Sequence, residues 1–511
     1  MKNLLNSIKL QTPKSNKFDL THDVKMSGKM GLLYPIMNME CVPGDRFTIG
    51  ADSLIRFAPL IAPVMHRMDV TIHYFFVPNR ILWENWEEFI TNHNSGLDAP
   101  YITISDGLTD TVKKFFTYFG IPFNDGGSDA NVLAFSMAAY QAIYNEYYRD
   151  QNLITEVDYA LVDGDNTSNT DLFTQRLRAW EHDYFTACLP WAQKGGGVDI
   201  PLGDVVLKDT WNEIDPPFFI TEGGAIPDGN LVNANNGGGN GAVNVSGPVL
   251  VGPTAYDPNG TLTVGSTTIN DLRRAYKLQE WLEKAARGGS RYIESILTHF
   301  GVRSSDARLQ RPEYITGIKS PVIISEVLNT TGADGGLPQG NMAGHAVNVN
   351  TGKYGSYFCE EHGIIMGMLS ITPKTAYQQG IPRMFSKFDS MDYYWPSFAH
   401  LGEQEVLQKE LTAYLGGDDN DVFGYMPRYA EYKYMSSRVA GDFQSTLNYW
   451  HLGRIFDNGT QPHLNQDFIE CSPDDCNRIF AVQDGSDTLY MHILNKVTAI
   501  RRMPIFGTPS F

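Results

Sequence analysis

The residues best equipped for chemistry lie in small polar clusters. Asp163, Asp165 and Asp171 fall within DGDNTSNTD, and Asp418, Asp419 and Asp421 within GGDDND. Carboxylates this dense suit calcium, but neither run has the turn glycine and closing glutamate of an EF-hand loop. A polar turn accounts for both. His22 stands beside Asp19 and Asp23 as a general base would, with no nucleophile held near it. Cys471 and Cys476 lack a companion cysteine pair or a histidine cluster, so their spacing does not describe a zinc site. The glycines at 237–241 precede no Lys-Ser/Thr pair and are not a phosphate loop. Glu87 and Glu88 share what reads as a helix surface, and no nucleophile elbow, zinc-protease helix or dinucleotide fingerprint occurs. The chain reads as a non-enzyme without a cofactor or a metal.

Basic residues beside aromatic or other basic residues form a second group: Arg291-Tyr292, Arg428-Tyr429, Lys433-Tyr434 and Arg501-Arg502. Such pairs can meet phosphates and stack on single-stranded bases. Arginine and tyrosine are also enriched where proteins meet proteins, and that reading is preferred. Residues 1–17 carry Lys2, Lys9, Lys14 and Lys17 and no acid, which describes either a frayed terminus or a basic arm against nucleic acid. The run MDYYWP (391–396) with Phe398 is read as core or subunit contact ahead of a base-stacking platform.

These groups need a scaffold, and composition bounds its kind. The 511 residues make one very large domain or several ordinary ones. With 42% hydrophobic and 19% charged residues a substantial core is possible and wholesale disorder is not. The 48 glycines, 27 prolines and 12% aromatics favour strands joined by elaborate loops. A net charge of -18 argues against a surface that binds duplex DNA everywhere, though not against one basic face. Five scattered cysteines are no disulfide framework and suit a reducing compartment. Neither a signal peptide nor a membrane span is evident, which predicts a soluble cytoplasmic product.

Along the chain, residues 46–62 and 64–78 read as strands. In the second, Met68, Val70, Ile72, Tyr74 and Phe76 alternate with Asp69, Thr71, His73 and Phe75, with burial on both faces near Phe75. ILWENWEEFI (81–90) reads as a short helix, and 131–150 as a longer one with a stripe of Leu133, Met137, Tyr140, Tyr144 and Tyr147. Residues 271–300 read as two helices. Gly288-Gly289 ends the first, Ser290 caps the second, and Tyr292, Ile293, Ile296, Leu297 and Phe300 form a buried stripe. Residues 320–328 and 363–372 read as buried strands, and 487–511 as a last strand followed by Arg501-Arg502 and an aromatic tail. Residues 203–268 are rich in Gly, Asn, Ser and Thr and read as a solvated excursion.

The run ARGGSRYIESILTHFGVRSSDARLQRPEY resembles the major capsid protein family of the Microviridae, and its gokushovirus-like branch in particular. FDLTHDVKMSGKMGLLYPIMNMECVPGDRF, HRMDVTIHYFFVPNRILWENWEEF, AIYNEYYRDQNL and HDYFTACLPWAQKG are similar to the same family, in order along the chain. The resemblance implies a mainly β fold, an eight-stranded antiparallel jelly roll with long loop insertions and several helices. It implies one capsid domain over 1–511, a basic arm at 1–17, and a protruding insertion at 203–268. The expected function is a coat that self-assembles into a T=1 icosahedral shell around single-stranded DNA. Minor or scaffolding proteins and a host surface receptor are expected partners, with assembly in the bacterial cytoplasm and no membrane.

Read with that family in mind, Arg287, Arg291, Tyr292, Arg308 and Arg311 are expected at subunit interfaces, and Lys2, Lys9, Lys14, Lys17, Arg501 and Arg502 towards DNA. Charge reversal at Arg287 or Arg291 is expected to impair assembly without unfolding the chain. The rival readings are a secreted or surface carbohydrate-binding β-protein and a glycan-cleaving enzyme with a carboxylate pair across a cleft.

Overall fold

The computed structural model describes residues 13–93, 96–122, 126–199, 205–206, 263–264, 268–330, 340–352, 354–414, 419–457 and 461–506. The chain divides into two compact units, Met1–Lys194 with Glu283–Phe511, and Gly195–Leu282. Within the second, the described residues include two paired dipeptides, Val205–Val206 and Thr263–Val264, and the start of a long helix. The rest of the expected insertion at 203–268 lies outside the described residues, as do Lys2, Lys9, Asp418 and the glycines at 237–241.

Eleven strands of the first unit form two antiparallel sheets: β1 (Asn16–Asp19), β2 (His22–Gly28), β3 (Leu33–Cys41), β4 (Arg46–Phe57), β5 (Met68–Pro78), β6 (Glu313–Pro321), β7 (Ile323–Leu328), β8 (Met342–Thr351), β9 (Gly355–Phe358), β10 (Gly363–Pro373) and β11 (Leu489–Arg501). One sheet runs β1-β11-β4-β8-β7, with β2 also on β11 and β9 also on β4; the other runs β6-β5-β10-β3. Period-two alternation sorts the side chains. Phe47, Ile49, Ile55 and Phe57 of β4 and Leu489, Met491, Ile493 and Val497 of β11 point inward, against Val70, Ile72 and Tyr74 of β5 and Ile365, Leu369 and Ile371 of β10.

The second sheet is covered on both faces, as the run of Phe75, Phe76 and Val77 predicts. Its far side, with Phe75, Val77, Ile364, Met366 and Met368, packs against α1 (Asp110–Tyr118) and α2 (Phe135–Ile143). A third core gathers Tyr184, Phe185 and Tyr377 on a hairpin of Glu403–Leu407 and Val422–Pro427. One polar bridge crosses the main core: the Tyr74 hydroxyl donates to Asn495 Oδ1 at 3.0 Å, and Asn495 Nδ2 donates to the Ile36 carbonyl at 2.9 Å. The Pro43-Gly44 turn joins β3 to β4, where Gly44 takes a φ of 94° that a side chain would resist.

Four expectations need correction. Residues 131–150 are not one helix: Ala130–Leu133 pairs with Tyr101–Ile104, and after α2 the backbone widens into a π turn at Tyr144–Tyr148. There the Asn145 side chain bridges to both backbone groups of Val157. The 81–90 helix is two, Asn79–Leu82 and Trp86–Ile90. Ile323–Leu328 is exposed, because Pro321 ends β6 and the chain passes to an edge of the open sheet. Ser290 caps nothing; Arg291 is the N-cap, its backbone N–H donating to Glu294 Oε2 at 3.1 Å. Gly289 and Gly301 take left-handed conformations at the two helix ends, as expected.

Candidate assembly surface

The arginine-rich region carries α3 (Ile269–Arg287) and α4 (Tyr292–Phe300). Arg291 Nη2 donates to the carbonyls of Asn145 at 2.7 Å and Arg149 at 3.0 Å. Arg311 Nη1 lies 3.3 Å from Glu146 and its Nε 3.3 Å from Asp306, with the guanidinium 4.6 Å above the Tyr147 ring. Both cations thus sit at the C-terminal end of the α2–π-turn segment, where unpaired carbonyls and the helix dipole favour positive charge. Arg287 pairs with Glu403 and donates to the Ala187 carbonyl at 3.2 Å. Arg287, Arg291 and Arg311 therefore hold segments of their own chain together. Arg308 is exposed.

What these anchors present is apolar. Tyr292 is 71% exposed and Phe300 78%, with Leu297 also bare. Of the stripe expected to be buried, Tyr292, Leu297 and Phe300 are open in the single chain, while Ile293 and Ile296 are half-buried. An amphipathic pattern requires that a face be covered and does not say by what.

A second apolar surface runs from Met384 to Trp395. Met384, Phe385, Phe388, Met391, Tyr393, Tyr394 and Trp395 are all exposed, Phe388 at 91%. Core placement of the MDYYWP run is thereby excluded, since its large side chains reach solvent. The segment is nonetheless fixed. Asp392 accepts the amides of Phe388 at 3.0 Å and Asp389 at 2.9 Å, and these bonds, the Asp389 amide foremost, pull its carboxyl below the ordinary range. Trp395 Nε1 donates to the Ser390 carbonyl at 2.8 Å. Beneath lies a nearly buried ion pair, Lys387 Nζ to Glu431 at 3.1 Å, with Lys387 3.8 Å over the Tyr432 ring and Gln404 donating to Glu431 at 2.7 Å. Burial opposes both charges, and the surrounding hydrogen bonds outweigh it, holding the ammonium up and the carboxyl down. Tyr394, Tyr429 and Tyr432 complete an edge-to-face cluster. Met384, Phe385 and Phe388 escaped the sequence reading because RMFSKFDSMDYYWP has neither period two nor period 3.6.

The basic residues separate in the same way. Arg501 is internal, its Nε 3.1 Å from buried Asp45 and its Nη2 donating to the Glu40 carbonyl at 2.9 Å. Lys14, Lys17 and Arg502 are exposed. Lys17 lies opposite Ile500 on the uncovered face of the larger sheet. The same face carries Arg46 and Arg56 of β4 and a shallow groove of about 450 Å³ lined by Lys25, Arg56, Tyr490 and His492. Lys25, Arg46 and Arg56 were missed, although strand alternation alone points them outward.

The first carboxylate cluster is spent locally. Asp163 accepts from Trp83 Nε1 and Asn85, each at 2.9 Å; Asp165 accepts the Thr167 amide at 2.8 Å; Asp171 pairs with Arg176 at 2.9 Å. Among the described residues no group of three or more His, Cys, Asp or Glu could hold a metal ion. His22 turns to the Leu20 carbonyl, Asp19 accepts the Thr21 amide, and Asp23 pairs with His492 at 2.8 Å. Glu87 and Glu88 are exposed on one short helix. Among the described residues no helix is long and apolar enough to cross a membrane.

Comparison with known proteins agrees with this picture of a scaffold presenting apolar surface. A family model described as capsid protein (F protein) matches residues 7–511. Capsid protein VP1 of Chlamydia phage 1 is 34% identical, over 100% of this chain and 98% of its own. Capsid protein VP1 of Bdellovibrio phage phiMH2K is 35% identical, over 97% and 95%. Capsid protein VP1 of Spiroplasma virus 4 is 30% identical, over 97% and 95%. With the family match and three relatives aligned nearly end to end, the chain belongs to the capsid protein (F protein) family of the Microviridae.

Proposed function

We propose that this chain is the major coat subunit of a small single-stranded DNA phage, and that its copies close into a T=1 icosahedral shell around the genome. The observation that carries the reading is the bare, rigidly held aromatic surface at 384–395, together with the open residues of α4, on a chain of this family. Apolar surface of this kind marks a place where another protein sits.

The finer architecture we infer is an eight-stranded jelly roll. Taken along the chain, its strands are β2, β3, β4, β5, β6, β8, β10 and β11. The orders β2-β11-β4-β8 and β3-β10-β5-β6 then place the first strand beside the last and the second beside the seventh, the wrapping of a double Greek key, which supports this reading. Residues 1–511 form one capsid domain in this view, with 203–268 as a protruding surface insertion, and a host surface receptor is a further partner.

Tyr292, Leu297, Phe300 and Arg308 face a neighbouring subunit, while Arg287, Arg291 and Arg311 fix the helices that present them. Lys14, Lys17 and Arg502, with Lys2 and Lys9 in the basic arm at 1–17, face the DNA, and Arg501 anchors the strand beside them. The chain is a virion component without catalytic work, assembled in the bacterial cytoplasm with minor or scaffolding proteins. Electron microscopy and light scattering of the purified protein test the reading. Uniform closed shells are expected. A monomer that stays monodisperse after addition of phage-infected cell extract would overturn it.

A further inference from the structure

We propose that the chain carries two latent disulfides, Cys41–Cys359 and Cys471–Cys476, which remain thiols in the host and close in the released particle. All five cysteines are free and buried. Four of them are already paired in space. The sulfurs of Cys471 and Cys476 lie 3.9 Å apart in the main core. Cys41 and Cys359 are both fully buried in that same core, the Cys41 thiol donating to the Met39 carbonyl at 3.5 Å beside Cys359, and the backbone around them is pinned: the Gly44 amide donates to the Cys359 carbonyl at 2.8 Å and the Cys359 amide to the Asp45 carbonyl at 2.9 Å. Cys188 belongs to the third core, where its thiol donates to the Tyr184 carbonyl at 3.3 Å. Closing Cys471–Cys476 means bringing sulfurs from 3.9 Å to a bond of about 2.05 Å, within the reach of side-chain rotation.

The placement gives the closure a purpose. Cys41 ends β3, the edge strand of the smaller sheet, and Cys359 directly follows β9, which pairs with β4 in the larger one. A bond between them ties the two sheets together at one end of the sandwich. Cys471 lies behind the turn from β2 to β3, its amide donating to the Arg178 carbonyl at 2.9 Å and its carbonyl against the open side of Gly31. Its closure stiffens the seat of that turn.

In each closure two S–H bonds break and one S–S bond forms. Two electrons and two protons pass to a low-molecular-weight disulfide, which leaves as two thiols. The attacking species is a thiolate, all four thiols are buried, and Cys41 and Cys471 resist forming one. The hydrogen bond from Cys359, together with burial, raises the Cys41 thiol, and the bond from Cys476 with burial does the same for Cys471. Exchange is therefore slow, and a reducing cytoplasm keeps the pairs open through folding. The timing rests on the coat-subunit reading; the pairing does not.

The test weighs the chain. Purified protein, assembled or not, is held with oxidised glutathione or with dithiothreitol until its state stops changing, then denatured in N-ethylmaleimide. The reduced chain should carry five adducts, one for each cysteine. The oxidised chain should carry a single adduct, on Cys188, with peptides joined Cys41 to Cys359 and Cys471 to Cys476. Five adducts after oxidation, or links through Cys188, would overturn the proposal, and neither outcome depends on shells forming. Oxidised particles should also melt several degrees above reduced ones, a gain kept in Cys188→Ser and reduced in Cys359→Ser. Disulfides that form without raising the melting temperature would overturn the stapling role. If Cys359→Ser does not fold, the mass and melting of the natural chain decide alone.

Discussion

Arg311 has one face on an aromatic ring and its nitrogens shared between Glu146 and Asp306, and its side chain is only 10% exposed. Arg311→Ala would leave Glu146 and the carbonyls of the π turn without that cation. The chain should lose about 2–4 kcal/mol, read from its denaturant midpoint. Reversal of Arg291 or Arg287 should likewise disturb the fold itself, so the expectation that such changes spare the chain gives way to an intramolecular role. Histidine supplies a pH signature. Burial pushes His66 and His73 down to about 4 in the folded chain, and an unfolded imidazole titrates near ~6.5. Below that value unfolding takes up protons. Stability is full above it and falls as pH drops towards 4, by up to roughly 1.4 kcal/mol per pH unit for each histidine. Melts across this window should show the slope, and His73→Asn should remove one histidine's share. A slope unchanged by that substitution would assign the titration elsewhere.

At the scale of elements, the sheets are joined through Asn495, which is fully buried on β11 and bonded to both Tyr74 and the Ile36 carbonyl. Asn495→Leu strands a hydroxyl and a carbonyl in the core and should cost about 2–3 kcal/mol, measurable as a lower melting temperature. Helix α4 behaves oppositely. Leu297→Ser with Phe300→Ser touches side chains already in water, so the monomer should keep its stability within about 1 kcal/mol while particle yield collapses. Normal shells from that double variant would place the subunit contact elsewhere.

The contrast also marks how far a sequence can be read. In β5 the alternation of Val70, Ile72 and Tyr74 reports a buried face, and strand and sheet follow directly. In α4 the same kind of pattern reports only that something must cover Tyr292 and Phe300, and a second chain satisfies it as well as a core does. The π turn at Tyr144–Tyr148 was illegible because it turns on one Asn145 side chain reaching Val157, a tertiary contact without a local signal. Arg287, Arg291 and Arg311 were visible as a cluster, but Glu146 and Glu403, which tie them to other segments, lie far away in sequence. The Cys41 and Cys359 pairing was hidden for a similar reason, the two being brought together only when the sheets stack.

At the largest scale, the first unit stacks two sheets with a helical layer over one of them, a stiff block of the kind the proposed shell requires. The rigid part is continuous, and the bare aromatics stand on segments tied to it by buried ion pairs. Assembly by many modest contacts on such a frame needs each patch to meet its complement on a neighbour.

The sheet order has one more consequence. The partners in the Asn495–Ile36 bond are 459 residues apart, and β11 is the central partner of both β2 and β4. At roughly 5–20 residues per second, a ribosome has released β2 for tens of seconds before β11 exists. Until then the larger sheet lacks its middle strand. On the proposed coat function, synthesis of β11 would gate entry into the shell, and chains that have not reached it would be spared premature association.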